Sequence, residues 1–105
     1  MAAKAGKRKT KPTIEITYCT RCRWLMRAGW MAQELLATFE NDVGAVTLVP
    51  NAEGGVFEVR TGGKKVWSRK KEGRFPEIRE LKQRVRDVVA PDRDLGHIDG
   101  TAGRS

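Results

Sequence analysis

Cys19 and Cys22 stand two residues apart in Cys19-Thr20-Arg21-Cys22, and they are the only cysteines among 105 residues. At that spacing a disulfide closes a small ring, and thiol–disulfide exchange opens it again. The reactive species is the thiolate, so positive charge near sulfur decides how readily it forms. Arg21 lies between the cysteines and Arg23 directly follows them. Both are expected to favour the thiolate. Two other readings stay open. A zinc site wants four ligands, and the one further usual donor is His97, so a metal would have to bridge two chains. The pair could also be inert filler. No metal site is expected within one chain, and no nucleotide-binding loop, serine triad or paired-carboxylate site stands out.

The elements around the pair set its position. Thr13-Ile-Glu-Ile-Thr-Tyr18 alternates polar and apolar residues and reads as a half-buried strand ending at the first cysteine. From about Arg23 the period becomes helical: Trp24, Ala28, Met31, Leu35 and Phe39 form an apolar stripe that Ala32 and Leu36 widen. The pair is thus expected at the first turn of this helix, beside its positive end. Gly29 within the helix suggests close approach of another backbone. Asn41-Asp-Val-Gly44 ends the helix, and Ala45–Val49 is a second strand stopped by Pro50. Glu53-Gly54-Gly55 is a turn, Val56–Arg60 a third strand, Thr61-Gly62-Gly63 a hairpin signal and Lys64–Ser68 the returning strand. Arg69–Arg74 reads as a basic loop. Phe75-Pro76 opens a second helix, with Pro in its first turn, and the apolar face is Ile78, Leu81, Val85 and Val88. Pro91 ends it.

The order βαβββα predicts an α/β (α+β) fold. The first strand–helix–strand unit must be parallel and right-handed, and the last two strands pair antiparallel. A four-stranded mixed sheet carrying two helices is the minimal thioredoxin-like arrangement. The domain is expected over 13–91, after a disordered basic arm at 1–12 and before a flexible tail at 92–105.

Charge needs dissection. The formal net charge is +8, but Lys4, Lys7, Arg8, Lys9 and Lys11 all fall in the first twelve positions, with no acidic residue among them. The remainder is only mildly basic, so the arm reads as a solubilising tail rather than a specific nucleic-acid site. No apolar run approaches the length of a membrane span, and the N-terminus lacks a signal-peptide pattern. A cytoplasmic, reducing compartment is expected, where a Cys pair is more often redox-active than a structural staple. Trp24, Trp30 and Trp67 are candidates for an apolar patch near the motif. Core packing is favoured for Trp24. For the run Arg69-Lys70-Lys71 a solvated basic loop is favoured over a site for glutathione carboxylates or an acidic partner.

Two blocks carry a family resemblance: Ile16-Thr-Tyr-Cys-Thr-Arg-Cys22 with the helix after it, and Gly55-Val-Phe-Glu-Val59 followed by Gly63-Lys-Lys-Val-Trp-Ser-Arg-Lys-Lys71. The sequence resembles the selenoprotein W-like (Rdx) family, the group of selenoproteins T, W and H, over roughly residues 14–90. That resemblance implies a thioredoxin-like fold and a thiol redox function with glutathione or a protein dithiol as partner, and no other cofactor. Selenium-containing members carry selenocysteine at the second motif position. Cys22 matches that position and Cys19 the first, which implies Cys22 as attacking and Cys19 as resolving sulfur. Thioredoxins place a cis-proline before the strand facing the motif. Here Gly54-Gly55 stands there, so these glycines are expected to face the substrate. The competing expectation is a non-enzymatic binding module whose basic arm docks an acidic partner.

Overall fold

The computed structural model describes residues 11–96. The expected basic arm, apart from Lys11 and Pro12, lies outside the described residues, as does His97. The elements are β1 (Thr13–Cys19), α1 (Leu25–Phe39), β2 (Ala45–Asn51), β3 (Phe57–Thr61), β4 (Lys64–Ser68), a one-turn α2 (Arg69–Glu72) and α3 (Ile78–Val89). The sheet order is β2-β1-β3-β4. β1 pairs parallel with β2 and antiparallel with β3, and β3 pairs antiparallel with β4. This is the expected four-stranded mixed sheet. None of the described helices is long and apolar enough to cross a membrane.

Alternation in the strands builds one apolar sheet face. Ile14, Ile16 and Tyr18 of β1 pair in register with Val59 and Phe57 of β3 and with Val46 and Leu48 of β2. Against this face α1 lays Ala28, Met31, Leu35 and Phe39, and α3 lays Leu81 and Val85. The opposite face carries Thr13, Glu15, Thr47 and Arg60, all exposed, as a one-sided sheet should. Leu36 does not widen the buried stripe of α1; it is exposed at its margin. Gly29 meets no atom within 4 Å of where a Cβ would sit, so it serves no close approach among the described residues.

Several boundaries differ from the sequence reading for local reasons. β2 runs through Pro50 to Asn51. The Asn51 carbonyl faces β1, where it accepts the Thr20 N–H at 2.9 Å, so the adjacent Pro50 faces away from the sheet. An edge strand tolerates a residue without a donor there. The basic loop after β4 is a helical turn instead. The Ser68 hydroxyl accepts the Lys71 N–H at 3.4 Å, and Gly73, at φ 82°, closes the far end. Pro76 does not lie in the first turn of α3 but just before its N-cap, Glu77. Glu77 and Glu80 form a reciprocal capping box. Beyond α3 the chain stays attached through Leu95, which packs against the core, and Arg93, which donates to the Thr38 carbonyl at 2.8 Å.

The β3–β4 hairpin shows why its two glycines are there. Gly62 and Gly63 have φ 58° and 78°, between the paired residues Thr61 and Lys64. Two consecutive positive angles define the type I′ turn whose twist matches the strands. Gly62 also leaves no room for a side chain: a Cβ would come within 2.7 Å of Val88 Cγ1. Replacing Gly63 by Ala should therefore cost about 1–2 kcal/mol, the backbone penalty alone. Gly62→Ala should cost measurably more in urea unfolding, because Val88 must also shift. Equal costs would show that α3 yields freely at this contact.

Arg74 grips Glu80 through two 2.9 Å hydrogen bonds. The guanidinium, helped by the Glu77 N–H, holds the Glu80 carboxyl below the usual carboxylate range. A depressed carboxyl adds stability above its unfolded value near ~4.3 and loses it as pH falls through the folded value. Urea midpoints should thus drop between about pH 5 and about pH 3, and Glu80→Gln should flatten that drop by about 0.5–1 kcal/mol, a surface-pair magnitude.

Candidate functional site

The topology delivers the motif to a crowded position. β2 ends and β3 begins at the same end of the sheet, on opposite sides of β1. The link through residues 52–56 must therefore cross the end of β1, where the Cys pair sits. Two strand spacings are about 9.6 Å. Five linking residues can reach about twice that, so the contacts of the loop, and not its length, hold it against the motif.

The contacts follow from this crossing. Thr20 donates to the Asn51 carbonyl from both its N–H (2.9 Å) and its hydroxyl (3.3 Å). Arg21 Nη1 donates to the Ala52 carbonyl at 3.4 Å. The Asn51 side chain accepts the Glu53 N–H at 2.7 Å and tightens the turn. Gly55, at φ 81°, points its N–H at Cys22 Sγ, 3.4 Å away. Gly54 is exposed and makes no such contact, so of the two expected glycines only Gly55 meets a sulfur.

Cys19 and Cys22 are joined as a disulfide with Cα atoms 5.3 Å apart. The two sulfurs have unlike surroundings. Cys19 is 0% exposed at the end of a central strand, while Cys22 is only half-buried. The Cys22 N–H donates to Cys19 Sγ at 3.1 Å.

The expectation that the pair occupies the first turn of the helix is not met. α1 begins at Leu25, three residues past Cys22. Arg23 adopts φ 61° and its N–H returns to the Thr20 carbonyl at 3.2 Å, so Thr20–Arg23 form a separate turn. Donors to sulfur come from this turn and from Gly55 rather than from helix N–H groups. Arg23 is exposed, and Arg21 directs its head group toward the crossing loop.

An aromatic cluster adjoins the turn. Trp24 meets Phe75 edge-on at 4.8 Å between centroids and Phe57 at 6.4 Å, and Phe57 meets Phe75 at 5.1 Å. Sequence reasoning missed Phe57 and Phe75 here: the alternation of Phe57 with Glu58 marks it only as an inward strand residue, and no periodicity marks Phe75. Of the three tryptophans, Trp67 is core rather than surface, at 1% exposure, with its indole N–H donating to the Arg74 carbonyl at 3.0 Å. Trp30 stays 47% exposed and Met26 84%, four residues apart on the outer side of α1. Lys70 pairs with Glu53 on the crossing loop and holds its carboxyl below the usual range, first by hydrogen bonding and then by charge. No group of three or more His, Cys, Asp or Glu side chains converges among the described residues.

Comparison with known proteins agrees with this arrangement. The Rdx family model matches residues 13–87, well over half the chain. The chain belongs to the Rdx family. A solved structure described as a selenoprotein W-related protein from Vibrio cholerae is 49% identical, with a TM-score of 0.73 over 76% of this chain and 99% of that one. A Bordetella parapertussis crystal structure is 57% identical, with a TM-score of 0.70 over 73% of this chain and 96% of that one. No protein of curated function matches. The Rdx architecture is thus the thioredoxin-like one, and the cysteines lie at disulfide distance within it.

The unequal burial of the sulfurs has a direct readout. In the reduced protein, iodoacetamide should alkylate Cys22 at least about tenfold faster than Cys19, since only an accessible thiolate reacts. Mass mapping of the alkylated peptides measures this. Equal labelling would mean that reduction opens the turn.

Proposed function

We propose that this Rdx protein is a thiol–disulfide redox protein in which Cys22 attacks, Cys19 resolves, and glutathione or a protein dithiol is the exchanging partner. The observation that carries the reading is that Cys22 is only half-buried, its sulfur held against the Gly55 N–H, while Cys19 is fully buried. A hydrogen-bond donor aimed at sulfur favours the thiolate over the thiol. Arg21 and Arg23 add positive charge on either side of Cys22 in the chain. The open side of the Gly54-Gly55 turn is where substrate approaches, in place of the cis-proline of thioredoxins. A reducing, cytoplasmic setting suits a bridge that thiols must reopen.

A second reading is a binding module, favoured by one observation: Met26 and Trp30, four residues apart on one face of α1, are both exposed. Exposed apolar groups of this kind mark contact surfaces. The reduction potential separates the two. A pair lying far below the glutathione poise, which exchanges with no oxidant, belongs to a binding module.

The order of attack is tested by trapping. Cys19→Ser is nearly isosteric and leaves the exposed sulfur in place. It should accumulate mixed disulfides from cell extract, whereas Cys22→Ser should accumulate few. The opposite pattern would reverse the roles. Conjugates on neither variant would remove the redox reading.

A further inference from the structure

Four arginines lie in the Cys22 turn or against the aromatic cluster that adjoins it. Arg21 and Arg23 flank Cys22 in the chain and are exposed. Arg27, in the first turn of α1, places its guanidinium carbon 4.1 Å from the Phe75 ring centroid. Arg69 lies 4.9 Å from the Trp24 ring and 5.0 Å from Phe75. Aromatic faces hold these guanidiniums in place while leaving their charge uncompensated. Arg69 Nε is also buried without a hydrogen-bond partner, so donor capacity remains.

No carboxylate lies within ion-pair distance of any of these four arginines among the described residues. The acidic side chain on the crossing loop, Glu53, is neutralised by Lys70. A rim of one sign raises the local concentration of ligands of the other sign and speeds their encounter.

We propose that this arginine rim selects small disulfides bearing carboxylates close to their sulfurs over neutral or cationic disulfides. The inference rests on the redox reading above and names the substrate class of the same site. In the step concerned, the Cys22 thiolate attacks one substrate sulfur. The substrate S–S bond breaks as the Cys22–substrate bond forms, and one substrate thiolate leaves. Cys19 gives up its proton and attacks Cys22 Sγ, and the second substrate thiolate departs with the bonding pair. The substrate disulfide gains two electrons, the protein pair loses two, and the two thiol protons end on the released thiols.

The test uses three disulfides of similar size with the reduced full-length protein: 3,3′-dithiodipropionate, bis(2-hydroxyethyl) disulfide and cystamine. Each rate is divided by that of the same disulfide with 2-mercaptoethanol, which removes differences in leaving-group chemistry. At low ionic strength the normalised rate for the dianion should exceed that for the dication by about tenfold or more. The ratio should fall severalfold in about 0.5 M salt, where the Debye length shrinks to a few ångströms. The double variant Arg23→Gln/Arg27→Gln should lower the low-salt ratio by about threefold. Equal normalised rates at low salt, or a ratio indifferent to salt, would overturn the selection while leaving the redox reading intact. Absence of exchange with all three disulfides would overturn both.

Discussion

The crossing of residues 52–56 over the end of β1 is the constraint on which the site depends. It is set by strand order, not by any one residue. Because β2 and β3 flank β1 and meet at its C-terminal end, a short link between them has nowhere else to run. The strand register puts Pro50 and Phe57 level with Tyr18, one residue before the first cysteine. The motif is therefore roofed by backbone whose N–H groups need partners, and a sulfur is one of the acceptors available. Gly55 can aim its N–H at Cys22 because its φ of 81° costs glycine little.

That arrangement changes where the electrostatic support for a thiolate comes from. A cysteine within the first turn of a helix would draw on a row of free helix N–H groups. Here Arg23 interrupts the chain between Cys22 and α1, and the support is local: one loop N–H and the cations of the turn. The aromatic cluster then has a mechanical role. Trp24 at the head of α1, Phe57 on β3 and Phe75 before α3 meet edge-on, a geometry that adds about 0.5–1.5 kcal/mol per pair beyond burial. The cluster ties α1 to the sheet at the level of the motif, so the turn is anchored at both ends.

Periodicity made most of the fold legible. The alternation of Ile14, Ile16 and Tyr18 and the stripe from Ala28 to Phe39 each report one buried face, and both faces are where they were expected. The Gly62-Gly63 pair revealed its hairpin because only glycine suits two positive angles in succession. What escaped were features decided by neighbours distant in sequence. Pro50 reads as a strand terminator unless its edge position is known. Arg69–Glu72 read as a loop because four residues hold too little pattern to reveal a capped turn. The helix was expected to reach the cysteines because nothing in Cys22-Arg23-Trp24 announces a left-handed arginine. The site was legible as a residue pair and a facing glycine turn. The identity of the N–H on Cys22, and the presence of Phe57, Phe75 and Arg69 around it, depend on tertiary packing.

The distribution of ion pairs gives the arginine rim its meaning. Away from the motif several basic side chains are matched, Lys82 with Glu34, Arg84 with Glu72, Arg74 with Glu80 and Arg93 with Asp42, while Lys64, Lys71 and Arg79 carry no ion pair among the described residues. These pairs engage acidic side chains of both long helices, of the single-turn helix and of the segment after α1. Of the arginines without an ion pair among the described residues, Arg21, Arg23, Arg27 and Arg69 belong to the Cys22 turn, the first turn of α1 or the adjoining aromatic cluster, and Arg79 on α3 stands apart. Surface pairs contribute little stability, about 0–1 kcal/mol each. Their larger consequence is to cancel fields that would otherwise blur the contrast between the rim and the rest of the surface. A cluster of cations without carboxylate partners retains a field around it. That field acts over a Debye length, about 8–10 Å at physiological salt. Fold and charge thus act on the same atom: the crossing loop leaves one sulfur reachable, and the unpaired arginines bias what reaches it.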